Sequence, residues 1–360
     1  MPEQNLKILN GWRIRGTGHS LRECSALIPT FNRYPQVIRL LEAIADLPDQ
    51  PGEVVVVDGH AGGDLSARLQ AWAQSKSLAF DLVYAQSDPG LTVQRNAGID
   101  VSTGDYLYYF DDDTVPKPGY FSNILRVFER DRKREIGVVG ACITNEMDKP
   151  VSLRWRLRLK LGLVPKDLPP MRYFHACTSL PRGFMKLFTG TIPVDIVAGG
   201  ASAWRRDVFD TMRFSEYFQG YSQGEDVESS LRAGRDWKLV CCGDAHILHL
   251  HAPGGRPLKI DRGRMDVVNR YFIMKRFQPP NSLRYTTLFF LDVLFQIVMD
   301  LGYYLARPWQ FTPLLRACGL VLGTLECMVN PPRYEEPPAR RRYTLAGEPV
   351  PEQVTSRVKP

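Results

Sequence analysis

From Cys24 onward, short apolar runs alternate with segments of helical period, the pattern of a βαβ layer. C-S-A-L-I-P (24–29) reads as a buried strand stopped by Pro29. Val37, Ile38, Leu40, Leu41 and Ile44 then recur at helical spacing. The consecutive valines of E-V-V-V-V-D (53–58) fit a central parallel strand covered on both faces. Helices are expected over 64–75 and about 91–101, and strands over 80–85 and 105–110. Pro116 and Pro118 suit the first turn of a helix running to about 130.

Between about 145 and 190 the alternation gives way to a Pro- and Arg-rich insert. Within it R-W-R-L-R-L-K-L (154–161) alternates basic and apolar positions with period two, as a basic surface strand does. Regular alternation resumes at 194–204, a helix is expected over 224–234, a strand over 237–241 and a His-rich segment over 246–251. The apolar stretch 286–305 has the length of a membrane span, but Asp292, Gln296 and Asp300 fall at i, i+4 and i+8 on one helical face. Each carboxylate at a bilayer centre costs about 2.5–3.5 kcal/mol, so an amphipathic helix in the interface or packed on the domain fits better than a span. Leu314–Val329 is too short to span and is interrupted by Arg316 and Glu326. Residues 1–22 read as a polar lead-in, and 331–360, with paired prolines and three arginines at 340–342, as a disordered tail.

With 360 residues the chain accommodates one large α/β domain with appendages or two modest domains. A hydrophobic share of 44% against 24% charged excludes a wholly disordered chain. Lys and Arg number 46 and Asp and Glu 39, a formal net charge of +7, which suits anionic partners such as phosphates or a lipid surface. The basic residues lack the dense clusters of a nucleic-acid binder, so no nucleic-acid partner is expected. Seven cysteines without a C-x-x-C pair point to a reduced, cytosolic setting. Glu3, Arg13 and Arg15 interrupt the first twenty residues, so no signal peptide is expected and the working part should face the cytoplasm.

The candidate chemistry gathers at strand ends, where open α/β sheets bind ligands. F-D-D-D-T (110–114) follows an apolar strand. Asp111 and Asp113, one residue apart, can approach a single hard cation, and three packed carboxylates repel one another unless a cation neutralises them. Asp58 ends the valine strand and can accept hydrogen bonds from a base or ribose, or simply form the turn of D-G. G-E-D-V-E (224–228) sets Glu225, Asp226 and Glu228 in the first turn of a helix, where acids also serve as dipole partners. In H-I-L-H-L-H (246–251) strand alternation puts His249 and His251 on one face, either of them a candidate ligand.

Six segments in this order resemble family 2 glycosyltransferases over roughly residues 22–280. S-A-L-I-P-T-F-N-R (25–33) is similar to that family's opening strand and nucleotide loop, and E-V-V-V-V-D-G (53–59) to its second strand. The stretch 90–113, with R-N-A-G and D-D-D, resembles the R-N-x-G helix and D-x-D strand. A-G-G-A-S-A-W-R-R-D-V-F (198–209) resembles the acceptor-side strand, Y-S-Q-G-E-D-V-E (221–228) the E-D motif, and I-L-H-L-H (247–251) the late metal-binding histidine. The resemblance implies a GT-A fold, a Rossmann-like α/β architecture with a mixed, mostly parallel sheet and helices on both faces. That domain would occupy 23–280, with C-terminal amphipathic or apolar helices over 281–330 associated with a membrane.

The resemblance further implies an inverting, metal-dependent transfer from a UDP-, GDP- or dTDP-sugar to a saccharide or lipid-linked acceptor, in polysaccharide, glycolipid or glycoconjugate synthesis. Asp58 would contact the base with Phe31 as a stacking surface, and Pro29, Thr30, Arg33, Arg95, Asn96 and Asp112 would complete the donor pocket. Asp111 and Asp113 would hold Mn²⁺ or Mg²⁺ with His249, and Asp226 would be the general base, with Glu225 as the alternative. The enzyme would sit peripherally on the inner face of the plasma membrane. Two rival readings remain. D-D-D-T-V (111–115) also satisfies the D-x-D-x-[T/V] pattern of haloacid dehalogenase-type phosphohydrolases, with Asp111 as nucleophile. A membrane-surface binding protein without activity is the other.

Overall fold

A computed structural model describes residues 6–18, 20–176, 179–252, 257–279, 282–333 and 342–348. The elements in chain order are β1 (Leu6–Leu9), β2 (Gly11–Ile14), β3 (Leu21–Thr30), α1 (Tyr34–Ala45), β4 (Pro51–Asp58), α2 (Leu65–Gln74), β5 (Asp81–Gln86), α3 (Leu91–Val101), β6 (Tyr106–Phe110) and β7 (Thr114–Pro116). There follow α4 (Tyr120–Arg130), β8 (Ile136–Ile143), α5 (Leu153–Lys160), β9 (Thr191–Pro193), β10 (Ala201–Arg205), α6 (Glu225–Ala233) and β11 (Lys238–His249). The chain continues with α7 (Lys259–Phe277), α8 (Leu283–Ala306), α9 (Phe311–Val329) and β12 (Arg342–Leu345).

One mixed sheet runs in the order β2-β5-β4-β3-β6-β10-β8-β11-β7, with β9 on β11. Its central strands β5, β4, β3 and β6 are parallel. The valine strand is covered on both faces, and alternation sorts its side chains. Val54 and Val56 join the layer formed with α1, α2 and α4, while Val55 and Val57 join the layer formed with α3. A third core, built on α7, α8 and α9, includes Phe272, Phe289, Val293 and Leu320. Helix α7 was not anticipated from the sequence.

Four expectations are corrected. The lead-in is not a free segment: β2 pairs with the edge strand β5, and β1 pairs in parallel with β12. That pairing also removes residues 342–345 from the expected disordered tail; Arg342 and the Tyr343 N–H bond Asp100, and Tyr343 and Leu345 are buried. Residues 334–341 and 349–360 of that tail lie outside the described residues. Second, the stretch read as a basic surface strand is helical, α5 covering Leu153–Lys160. Ser152 caps Trp155 N, Leu, Arg and Lys are good helix formers, and at i, i+4 Arg154 and Arg158 face Asp300 and Asp292 of α8. Third, Pro116 and Pro118 do not open a helix, because β7 pairs with β11 and α4 begins only after Gly119 at φ +85°. Fourth, α9 is longer than the sequence pattern suggested. At 19 residues it passes the length and composition test for a membrane span, as α8 does.

Helices α8 and α9 are both apolar outward; α8 turns a polar stripe inward, whereas α9 buries Ala317, Gly319, Leu320, Gly323 and Cys327. Leu294, Val298, Leu301, Leu305, Phe311, Leu322 and Leu325 are exposed, while Asp292, Gln296 and Asp300 are buried. Arg158 and Arg270 pair with Asp292, and Arg154 and Arg316 with Asp300. Close backbone approach makes glycine necessary between α7 and α9: a Cβ on Gly319 would lie 2.0 Å from Ile260 O.

Candidate active site

Strand β6 delivers the three aspartates to the carboxyl end of the sheet, and the register of β7 on β11 brings the histidine row to them. Thr114 pairs with His249, so the residue before Thr114 meets the imidazole. His249 Nε2 lies 3.2 Å from Asp113 Oδ1, and Nδ1 lies 2.8 Å from Glu146 Oε1. Asn145 clamps the same residue by its backbone, accepting from His249 N at 3.0 Å and donating to its carbonyl at 2.7 Å. The rings of His249 and His251 lie 4.0 Å apart, but His251 is half exposed, has φ +53° and reaches Glu146 rather than the aspartates.

The aspartates do different work. Asp111 exposes 40% of its side chain. Asp112 is turned inward, accepting from Thr30 Oγ1 at 2.8 Å and pairing with Arg33 at 2.7 Å, so it braces the β3 loop against the aspartate run. Asp113 accepts from Ala252 N at 2.9 Å. Burial alone would raise Asp113, but the hydrogen bond and charge of His249, with Arg33, hold it at about 2. The same bonds from Asp113 and Glu146 lift His249 to about 10 against burial. Burial lifts Asp112 to about 6, with Arg33 and Thr30 opposing.

A cleft of about 1370 Å³ opens on this cluster. Of the residues singled out from sequence, Pro29, Thr30, Phe31, Arg33, Arg95, Asp111, Asp112, Asp113, Glu225, Asp226 and His249 line it. Asp111, Asp113 and His249 each offer one ligand atom, all within 4.8 Å of one another, a donor set of two carboxylates and an imidazole that fits a divalent cation. Phe31 stands half exposed at the cleft, edge-on to His60 at 5.1 Å. Asp226 and Glu225 open α6 behind Gly224, whose φ of +92° turns the chain into the helix. Glu225 is buried against Arg95, and burial drives its carboxyl well above the ordinary range while Arg95 pulls it back. A Cβ on Gly200 would stand 2.2 Å from Asp111 Cγ, so only glycine admits Asp111 there.

Two sequence candidates are not brought to the cleft wall. Asp58 is buried in its turn, accepting from His60 N at 2.9 Å and Tyr84 Oη at 3.2 Å. Asn96 clamps the backbone of Phe214, donating at 3.0 Å and accepting at 2.9 Å. Three functional neighbours escaped the sequence reading. Gln94 ties the ends of β3 and β4 through Thr30 O and Val57 O, and Asn145 and Glu146 seat His249. Asn145 and Glu146 sit in a turn a hundred residues from the histidine, with no local pattern to mark them, and Gln94 lies inside the helix expected over about 91–101, where nothing local sets it apart.

A family model described as glycosyl transferase family 2 matches residues 25–213, more than half of the chain. The chain belongs to glycosyl transferase family 2. Among curated relatives, the uncharacterized glycosyltransferase YwdF of Bacillus subtilis (strain 168) is 28% identical over 244 residues, covering 66% of this chain and 78% of that one. An uncharacterized glycosyltransferase of Haemophilus influenzae is 30% identical over 107 residues, covering 30% of this chain and only 35% of that one. The mannosyltransferase PcManGT of Pyrobaculum calidifontis, solved with GDP-Man and Mn²⁺, superposes with a TM-score of 0.53 at 14% identity, covering 87% of this chain and 88% of that one. GalNAc-T7, solved with UDP, GalNAc and Mn²⁺, gives 0.52 at 14% identity, covering 87% and 59%. At that identity the likeness is one of fold, the GT-A fold. The glycosyltransferase assignment displaces the phosphohydrolase reading of Asp111.

Proposed function

We propose that this glycosyltransferase moves a sugar from a UDP-, GDP- or dTDP-linked donor to an acceptor hydroxyl by a single inverting displacement, using Mn²⁺ or Mg²⁺, at the cytoplasmic face of a membrane. The reading rests on Asp111, Asp113 and His249 meeting in the cleft that Asp226 also lines. Those three side chains would hold the cation, which when bound stabilises negative charge on the departing diphosphate. Phe31 offers the base a stacking face, and Arg33, fixed by Asp112 and Asp113, offsets part of the negative charge of the aspartate run beside it. Asp226 takes the acceptor proton as its oxygen bonds to the anomeric carbon, and the bond to the diphosphate breaks with its electron pair leaving on the nucleotide. Glu225 is committed to Arg95, which favours Asp226 as the base. The Mn²⁺ and nucleotide complexes of the two structural neighbours support the donor and metal class.

The membrane part of the reading rests on the outward apolar faces of α8 and α9 beside α5, where Leu153 and Leu161 are exposed together with Arg156 and Lys160. Leucines flanked by cations suit an anionic lipid interface, and the buried polar face suits helices lying in its plane. Polysaccharide, glycolipid or glycoconjugate synthesis are the settings such an enzyme serves.

A screen of nucleotide sugars for Mn²⁺-stimulated donor hydrolysis and transfer tests the proposal. Asp226→Asn should bind donor by calorimetry yet transfer nothing, and Asp113→Ala should lose metal-stimulated turnover while still unfolding cooperatively, at a lower melting temperature because His249 and Arg33 lose their carboxylate. Full turnover by Asp113→Ala at saturating Mn²⁺ would overturn the metal role.

A further inference from the structure

The histidine row carries a second group of donor atoms beside the aspartates. Glu146 Oε1 lies 2.8 Å from His249 Nδ1 and 3.2 Å from His251 Nε2, and the two rings stand 4.0 Å apart. One ligand atom from each of the three lies within 4.8 Å of the others. Arg182 attends the other carboxylate oxygen, Oε2, at 3.8 Å, which leaves Oε1 to the imidazoles. The backbone on both sides of His251 is tied to one residue: Leu250 N donates to Asp113 O at 2.8 Å, and Ala252 N to Asp113 Oδ2 at 2.9 Å. Asn145 clamps His249 in the same way. The proposed transfer step makes no use of His251.

The two donor sets differ in kind. Asp111, Asp113 and His249 offer two carboxylates and one imidazole, which suits Mn²⁺ or Mg²⁺. Glu146, His249 and His251 offer one carboxylate and two imidazoles, which suits Zn²⁺. Tetrahedral zinc with bonds of about 2.0–2.1 Å sets its ligands about 3.3 Å apart. His251 already stands near that spacing from Glu146, and the gap to His249 has only to widen slightly. Glu146 is partly exposed and His251 half exposed, so both can adjust and water can fill the remaining position. His249 belongs to both sets, but a neutral imidazole has one lone pair to give. A cation among the aspartates takes Nε2 and leaves the proton on Nδ1, where Glu146 accepts it. A cation at Glu146 takes Nδ1 and leaves the proton on Nε2, where it points at Asp113 and closes that nitrogen to a metal.

We propose that Glu146, His249 and His251 form a second cation site, which takes Zn²⁺ and, once filled, excludes Mn²⁺ from the aspartates by claiming the opposite tautomer of His249. The inference rests on the proposed metal role of Asp111, Asp113 and His249 and gives that site an inhibitor. Zinc then competes with manganese without entering the aspartate cluster.

The test uses tag-free full-length protein, stripped of metal with EDTA, dialysed and given one equivalent of Zn²⁺. Zinc-edge X-ray absorption should show two imidazoles and no sulfur, which excludes the exposed Cys318, and His251→Ala should lose an imidazole. By calorimetry Zn²⁺ should bind His251→Ala at least tenfold more weakly than the wild type. Asp111→Asn, which spoils only the aspartate set, should keep its Zn²⁺ affinity. Mn²⁺, followed by its free-ion paramagnetic resonance signal, should bind His251→Ala as it binds the wild type. Zinc should drive Mn²⁺ off the wild type at a lower concentration than off His251→Ala. If Asp111→Asn fails to fold, the absorption spectra of the wild type and His251→Ala decide alone. A single imidazole or a sulfur on wild-type zinc overturns the inference, as does unchanged Zn²⁺ affinity in His251→Ala, weakened affinity in Asp111→Asn, or Zn²⁺ and Mn²⁺ held together by the wild type. Zinc on two imidazoles in a wild type that binds no Mn²⁺ would instead strike the metal reading of the donor cleft, so the two failures are separable.

Discussion

Of the two neighbouring imidazoles, only His249 has both nitrogens committed, Nε2 toward Asp113 and Nδ1 toward Glu146. A carboxylate on the far nitrogen fixes the ring and makes the near nitrogen a better ligand, an arrangement usual around metal-binding histidines. Glu146→Gln should therefore weaken Mn²⁺ binding about 10- to 100-fold, read by the free-ion signal in electron paramagnetic resonance. Its melting temperature should barely move, since Glu146 is a partly exposed turn residue. Unchanged Mn²⁺ affinity would leave Glu146 with a purely structural part. The histidine row itself was legible, and strand alternation paired His249 with His251. Which of the two meets the aspartates depends on the β7–β11 register and on the irregularity between Cys242 and His246, neither of which leaves a local mark. Asp58 shows the converse. Its D-G context allowed either a ligand or a turn, and Tyr84 and His60 keep it in the turn.

At the scale of elements, the periodicities of the sheet and its crossover helices were readable because strands buried on both faces and amphipathic helices are local signals. The polar stripe of α8 was equally plain as Asp292, Gln296 and Asp300. Its direction was not. A polar stripe ordinarily turns toward water, and here it turns inward because arginines from α5, α7 and α9 converge on it, the one from α5 across more than a hundred residues of chain. Asp292→Ala would leave Arg158 and Arg270 without their shared carboxylate and should cost about 3–5 kcal/mol of unfolding free energy, measured by denaturant titration. Leu294→Ser, on the exposed face of the same helix, should change stability by no more than about 0.5 kcal/mol. The contrast is the test: similar costs would mean that the inward network is not what seats the helix. Acid should release the same lock. Burial would raise the Asp292 carboxyl, but Arg270 and Arg158 outweigh it and hold it below its ordinary value. Its stabilisation is therefore present above about pH 3.9 and disappears as pH falls through the lower folded value.

For the molecule as a whole, the arrangement of charge and apolar surface sets donor cleft, inward ion-pair network and exposed helices in sequence. A second copy of the chain could also cover α8 and α9, and a native probe separates the two occupants. Among the described cysteines only Cys318 is exposed, and it stands on α9; Cys24, Cys142, Cys241, Cys242 and Cys327 are buried. Burial pushes the thiols of Cys24 and Cys327 up to about 12, which further slows their alkylation. Brief maleimide labelling followed by peptide mapping should modify Cys318 in detergent-free buffer. Vesicles rich in anionic lipid should suppress that labelling severalfold, while neutral vesicles at raised salt should protect it less, because the basic positions of α5 contribute through screened attraction. Protection that depends on protein concentration and ignores vesicles would assign the apolar face to self-association. Labelling that neither condition alters would leave the face uncovered and remove the membrane from the reading.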